Sequence, residues 1–416
     1  MAKGKMSRRQ FLAKSALGAA AVGSAAALSS SRVHGANDRI SIGVIGAGGQ
    51  GYSLMGVVHR LREDHNVEIT AICDTWRLRA DHMTAKANEW YGGDCRKFTD
   101  YVDLLALDDV DAVIIATPDF AHSKILADAM KAGKDAYVEK PMATELEDAK
   151  AALDAAKASN RIVQVGTQRR SDGIWKAGAK AIQSGALGTI SRVEIAWNDC
   201  GPRWRRRFSD LREEDVNWKR YLMGLPYRPF DPSQYRQWHL YRDFTNGVIG
   251  LLGSHYFDVV AWFMDDPFPS TAVAHGGNYV WQDGREQEDT VYALYDYPKG
   301  FMCKYLTGLG NAAESGVRIY GTRGMFSTST WTLTGAGARG DDVIKEKIEI
   351  EREPGEDPVV DWIKCMRTRE PTTAPVETGY QHSVACILGY QALISGRKMK
   401  YLPALRRIVE APVAGA

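Results

Sequence analysis

The 416-residue chain lacks the spacings from which metal centres and disulfide frameworks are built. Its six cysteines, at 73, 95, 200, 303, 365 and 386, form no CxxC pair and fall at no metal-ligand spacing. That excludes a zinc- or cystine-stapled scaffold; no metal is expected, and the thiols are expected free and buried. Long apolar runs are absent too. The apolar stretch 13–27 is diluted by Ala, Gly and Ser and broken by Lys14, too weak a segment for a membrane anchor. No cysteine precedes Cys73, so there is no early lipid-attachment site, and no internal repeat divides the chain.

Acidic residues are missing from the first 36 positions, which hold six of the 53 basic side chains: Lys3, Lys5, Arg8, Arg9, Lys14 and Arg32. The arginine pair Arg8–Arg9, followed by Phe11, Leu12 and the small-residue run, reads as a twin-arginine export signal cleaved near Gly35 or Ala36. The export machinery is then a partner, and the mature chain is periplasmic or extracellular. Without residues 1–36 the balance is 47 basic against 51 acidic side chains, a net of −4. A nucleic-acid partner loses its electrostatic support. The remaining length suits two domains with ordinary cores.

What is present is most informative at residues 40–51, where a short apolar strand runs into a GxGxxG turn made by Gly46, Gly48 and Gly51, with Gln50 inside it. Gly46 permits the tight turn, Gly48 lets the main chain approach phosphate oxygens, and Gly51 lets the next helix, 51–62, pack against the sheet. A second apolar strand, 67–73, ends at Asp74, 23 positions after Gly51, near the offset at which a carboxylate meets a ribose 2′-hydroxyl. Asp74 repels a 2′-phosphate, so NAD is favoured over NADP. Arg77 is the residue that would face such a phosphate; its plain reading is an exposed helix arginine.

From 40 to 166 strand-length apolar runs (111–117, 135–139, 161–166) alternate with helical patterns (123–132, 144–159), the pattern of a doubly wound parallel sheet. After 166 the character changes. Helices at 174–184 and 253–264 flank a strand at 190–197 and a long aromatic, arginine-rich connection. Strand-like segments with turn signals follow at 271–280, 290–297, 300–306, 317–320, 324–330 and 343–350. The expected architecture is an α/β Rossmann domain, 37–166, then an α+β domain with a large, mostly antiparallel open sheet, 167–375. A final helix and tail, 376–416, are expected to pack back on the first domain.

Two further runs, 117–122 (Thr117, Pro118, Asp119, Phe120, Ala121, His122) and 139–141 (Glu139, Lys140, Pro141), stand at the ends of strands. With the glycine turn, the segments 166–170 and 319–324 and the helix 250–262, they resemble the Gfo/Idh/MocA family, which includes glucose-fructose oxidoreductase and inositol 2-dehydrogenase. The resemblance spans essentially everything after the leader. It implies a Rossmann domain holding NAD through Gly46, Gly48, Gln50, Gly51, Asp74, Thr117, Pro118, His122, Glu139 and Lys140. It also implies that Lys140 is the active-site lysine, that His122 contacts the nicotinamide ribose region, and that Gln168 and Arg170 line the pocket and cleft. Arg169 is read as structural.

Position supports the lysine independently, because a dinucleotide presents its nicotinamide at the carboxyl ends of such strands. His255 is the second catalytic candidate: removing hydride from a carbinol carbon needs a base, and a histidine titrates near the working pH. Asp258, three residues on, shares its helix face. Here the chain departs from the family, which usually has an aspartate four residues before this histidine where this chain has Leu251. Tyr241, Arg242, Asp243 and Tyr256 are the neighbours available to stand in. The connection carries Arg203, Trp204, Arg205, Arg206, Arg207, Tyr235, Trp238 and Tyr241; aromatic faces and arginines suit a sugar or acidic sugar, or form a solvated face over packed rings.

The implied activity is an NAD(P)-dependent oxidoreductase acting on a sugar, polyol or glycoside hydroxyl, with NAD held tightly and recycled in place because export separates the chain from a cytoplasmic nucleotide pool. A redox-neutral, NAD-dependent glycoside hydrolase and a non-catalytic carbohydrate-binding member of the fold are the alternatives. The partner is a small-molecule sugar or glycoside, and a homo-oligomer through the second sheet is expected because a large open face needs covering.

Overall fold

A computed structural model describes residues 38–412; the expected leader lies outside the described residues. Six parallel strands, β1 (Ile40–Ile45), β2 (Val67–Cys73), β3 (Arg96–Phe98), β4 (Ala112–Ile115), β5 (Asp135–Val138) and β6 (Val163–Val165), form a sheet in the order β3-β2-β1-β4-β5-β6. Helices α1 (Gly49–His65), α2 (Arg77–Tyr91), α3 (Tyr101–Leu105), α4 (Asp119–Lys131) and α5 (Leu146–Ser159) accompany it. Alternate residues serve two apolar layers. Ile42, Val44, Ile69 and Ile114 pack with Met55 and Val58, while Val113, Ile115 and Val138 pack with Leu126 and Leu153. The strand order reverses between β1 and β4, opening a crevice at their carboxyl ends.

The second sheet has ten strands: β7 (Ile190–Ala196), β8 (Thr271–Gly277), β9 (Thr290–Tyr297), β10 (Phe301–Gly308), β11 (Gly316–Gly321), β12 (Gly324–Ser327), β13 (Thr332–Thr334), β14 (Ile348–Glu349), β15 (Met399–Leu402) and β16 (Arg407–Glu410). All neighbours are antiparallel except β7 and β10. On β9, Val291, Ala293 and Tyr295 point into the core and Tyr292 and Leu294 into the open, the period-2 pattern of a sheet covered on one side. Further helices after the first sheet include α6 (Gly173–Gln183), α7 (Ser254–Phe263), α8 (Pro358–Thr368) and α9 (Val376–Ser395). Phe257 of α7 meets Tyr295 edge-on at 4.9 Å.

The two halves interlock. Residues 358–374 pack on the first sheet: Trp362 of α8 is fully buried against Tyr137 of β5, and the amide of Val165 bonds the carbonyl of Ala374. Helix α9 does not simply pack back on the Rossmann domain. Gly379 abuts Met142 and Val165 there, whereas Gly389 lies against Tyr295 of the second sheet, and the tail beyond it supplies the edge strands β15 and β16. The six cysteines are free, four of them buried, but Cys200 is exposed. Among the described residues no helix is long and apolar enough to cross a membrane.

Candidate active site

A cavity of about 480 Å³ lies at the carboxyl ends of β1, β2 and β4. One end is the glycine turn. Gly46 has φ +88°, and a side chain there would sit 2.7 Å from the main chain of Ala116 and Thr117. A Cβ on Gly51 would lie 2.0 Å from the carbonyl oxygen of Gly46, so only glycine lets α1 start this close to β1. At Gly48, by contrast, a Cβ would meet nothing within 4 Å, because this stretch of backbone faces the cavity. Helix α1 begins at Gly49 with no side-chain cap, leaving its first amides for an anion.

Asp74 closes this end. Its carboxylate accepts from the amides of Ala47 and Trp76, both at 2.9 Å, and from the Tyr235 hydroxyl at 3.2 Å; burial raises its pKa against those hydrogen bonds. Arg77 turns away to pair with Asp81 and Asp215, as its plain reading has it, and Arg79, not Arg77, lines the cavity. The connection between β7 and α7 forms a strap across the opening. Tyr235 also bonds Thr75 Oγ1 at 3.1 Å, the amide of Asn217 bonds the carbonyl of Thr75 at 2.7 Å, and Arg220 pairs with Asp100. Arg206, Arg236, Trp238 and His239 of the strap face inward with Gln50, Thr117 and Pro118 opposite.

Toward β5 the charged groups gather. Glu139 is buried and accepts from Gln50 Nε2 at 2.7 Å and from the amide of Lys140 at 3.2 Å. Lys140 Nζ donates to the carbonyl oxygen of Leu251 at 3.1 Å. That oxygen is free because residues Ile249–Gly253 form a π-helical turn, whose wider pitch leaves carbonyls without their usual helical partners. The neighbouring carbonyls are taken the same way, Val248 by the Tyr305 hydroxyl and Ile249 by Cys386. Burial lowers the Lys140 pKa while the carboxyls of Glu139 and Asp119 raise it. His255 follows on the next turn, its ring 5.2 Å from that of Trp197 and without a hydrogen-bond partner among the described residues. Burial, then Lys140 and Arg169, push its pKa far down, so the imidazole is neutral and able to accept a proton.

Residues 40–167 match the family model described as "Oxidoreductase family, NAD-binding Rossmann fold", and 223–401 match "Oxidoreductase family, C-terminal alpha/beta domain". The chain belongs to the Gfo/Idh/MocA oxidoreductase family. Among its relatives is "Glycosyl hydrolase family 109 protein 2" of Shewanella sp. (strain ANA-3), 37% identical over 37% of this chain and 38% of that protein. The "Inositol 2-dehydrogenase" of Rubrobacter xylanophilus is 25% identical over 76% of this chain and 78% of that protein. Among solved structures, the WlbA dehydrogenase of Bordetella pertussis, in complex with NADH and UDP-GlcNAcA, has the same fold: TM-score 0.65 at 20% identity, covering 90% of this chain and 99% of that one. The glycine turn, the uncapped helix start and the buried carboxylate fit the NAD that this family's first domain binds.

Within this Gfo/Idh/MocA member several expected site residues stand elsewhere. His122 cannot reach a ligand through either nitrogen: each lies 2.8 Å from a main-chain carbonyl, Pro141 or Thr117, so the ring ties the ends of β4 and β5 together. Asp258 is fully buried and gripped by Arg170 Nε at 2.8 and 3.1 Å, so these two residues satisfy each other instead of facing substrate. Arg169, expected to be structural, is the unpaired one. Its guanidinium sits over Tyr256 at 4.2 Å and Trp175 at 4.8 Å, with Nη1 buried and unpartnered, and its charge acts on Lys140 and His255.

None of the residues considered as stand-ins for the family's aspartate does that work. Tyr241 bonds Ser233 at 2.8 Å, Arg242 pairs with Glu288, Asp243 pairs with Arg228, and Tyr256 lies beneath Arg169. Gln168 is exposed and Trp238 lines the cavity. The carboxyl that does face Lys140, besides Glu139, is Asp119 at the start of α4, bonded by Thr245 Oγ1 at 2.9 Å and pushed up to about 7 by burial. Sequence reasoning passed over it, although it stands inside the run 117–122. It also passed over His239, for which only the fold of the strap supplies a signal.

Proposed function

We propose that the chain is an NAD-dependent oxidoreductase acting on a carbinol carbon of a sugar, polyol or glycoside, with the nucleotide held tightly and recycled in place. The observation that carries this reading is the strap: Tyr235, Asn217 and Arg220 fasten it to the ends of β2 and β3, over the Asp74 end of the cavity. A nucleotide beneath it exchanges slowly. Bound NAD supplies a hydride acceptor and donor; the remaining work is this chain's. The Lys140 ammonium holds the substrate oxygen, and a neutral imidazole takes the hydroxyl proton. Arg169 and the rings of Trp197 and Trp238 suit a polar, hydroxylated ring.

Denaturing the purified mature protein and identifying the released nucleotide tests this. Stoichiometric NAD, reduced at 340 nm within the intact protein by glucose or myo-inositol and without added nucleotide, is the expected result. An empty protein that turns over freely exchanged NAD sinks recycling in place. NADP is disfavoured by the buried Asp74 carboxylate and by Arg77 being paired away from the cavity. The 37% match to the Shewanella glycosyl hydrolase family 109 protein favours one second reading, a redox-neutral glycosidase, recognised by aglycone release with no net NADH. The outward Val273, Tyr292, Leu294 and Met302 support a homo-oligomer through the second sheet, and the arginine pair near the start supports export.

A further inference from the structure

His239 occupies a short 3-10 turn of the strap, between two indoles. Its ring stacks on Trp238 at 3.6 Å and 18° and on Trp204 at 5.4 Å and 4°. Trp204 holds its place with φ +68°, a conformation a bulky residue adopts only when its surroundings enforce it. The imidazole is 6% exposed and lines the same cavity as Gln50, Thr117 and Pro118, whereas His255 is not among the lining residues. Nδ1 is buried without a partner, and the ring makes no hydrogen bond among the described residues.

A stack of aromatic rings gains nothing from an unpaired imidazole nitrogen, whose desolvation nothing repays, and phenylalanine would fill the slot without that cost. The nitrogen is therefore matched to a hydrogen-bonding group that enters the cavity. Burial, then the cations Arg206 and Lys140, push the ring's pKa down, so it is neutral when the cavity is empty.

We propose that His239 is the acid–base group for the substrate hydroxyl, taking the part that His255 plays in the family's pattern; this rests on the oxidoreductase reading above. The hydroxyl O–H bond breaks with its proton passing to the free imidazole nitrogen, and the C–H bond breaks with its electron pair passing to oxidised NAD, leaving a carbonyl. The return half-reaction restores both bonds and the neutral ring.

His239→Ala opens an imidazole-sized slot between Trp204 and Trp238, and His239→Phe keeps the stack without a base. Free imidazole is expected to quench tryptophan fluorescence in the alanine variant and not in the wild type. Reduction of the bound nucleotide, followed at 340 nm with glucose or myo-inositol as probe, is expected to fall at least about 100-fold in both variants. Added imidazole is expected to restore it in His239→Ala alone. Rates within threefold of wild type in either variant, or no quenching and no rescue, overturn the proposal while leaving the oxidoreductase reading intact. Failure of the wild type itself to reduce its nucleotide with either probe brings down that reading and this one with it.

Discussion

At the Asp74 end the cavity wall comes from strand ends close together in the chain, with Gly46, Gly48, Gln50 and Asp74 as its parts; the other end, which His239 lines, lies near a cluster outside the lining, Lys140, Arg169, Leu251 and His255, brought together from two domains. The first end is made mostly of backbone and acts through glycine geometry and helix amides. The second is made of side chains whose charges act on one another through buried surroundings: Lys140 lowers the pKa of both His239 and His255. A backbone-built site tolerates no side chain where the turn is tight. A site built from side chains can carry a leucine at 251 and keep its lysine anchored on that residue's main-chain oxygen.

The adjacent arginines of the second end divide structure from chemistry most sharply. Arg170→Leu strands the fully buried Asp258 without its partner, and a loss of about 3–5 kcal/mol in unfolding free energy is expected. Arg169→Leu removes a cation that has no ion-pair partner among the described residues, and its stability change is expected to stay within about 1 kcal/mol while reduction of the bound nucleotide by a sugar falls. Denaturant unfolding of the two variants side by side is the measurement. Equal losses would erase the division.

Gly51→Ala probes the backbone-built end. Its Cβ would lie 2.0 Å from the Gly46 carbonyl, so α1 must move off β1. A stability loss of about 3 kcal/mol is expected, together with loss of nucleotide from the purified protein, read from the 260 nm absorbance of the denatured supernatant. A variant that keeps full nucleotide content would show that the strap and Asp74 hold the ligand without the turn.

This contrast also explains what was legible in the chain. The glycine turn, Asp74, Lys140 and the strands 67–73 and 290–297 were readable because each is a local pattern, a turn chemistry or a strict period. Helix α2 was legible only as the helix on which Arg77 stands, since it buries just Ala80, Met83 and Ala87 and its apolar stripe is thin. That helix α8 packs on the first sheet is not legible, because nothing near Trp362 announces Tyr137, more than two hundred residues earlier, as its neighbour. Arg169 and Arg170 carry identical local signals; which of them meets Asp258 is decided by how the turn after β6 faces α7. His122 matched its motif, but the carbonyls that flank its two nitrogens, one of which accepts from the neutral ring, come from two separate strand ends.

The smallest expected effect concerns Asp119, the carboxyl that faces Lys140. In the folded protein its pKa is pushed up to about 7 by burial, with the Thr245 hydroxyl bond and Lys140 working against the rise. In the unfolded chain the value returns to about 4. Between these limits the native state holds a proton that the unfolded state has released, so stability falls as pH rises through that window and the loss is complete above about pH 7. Asp119→Asn keeps a group that accepts from Thr245 and removes the titration. The variant is therefore expected to match the wild type near pH 4 and to become the more stable of the two at pH 8, as read by denaturant unfolding at the two pH values. If the wild type instead gains on the variant as pH rises, the ionised carboxylate is worth more to Lys140 than its burial costs, and Asp119 serves as the counter-charge that the family's missing aspartate would have supplied.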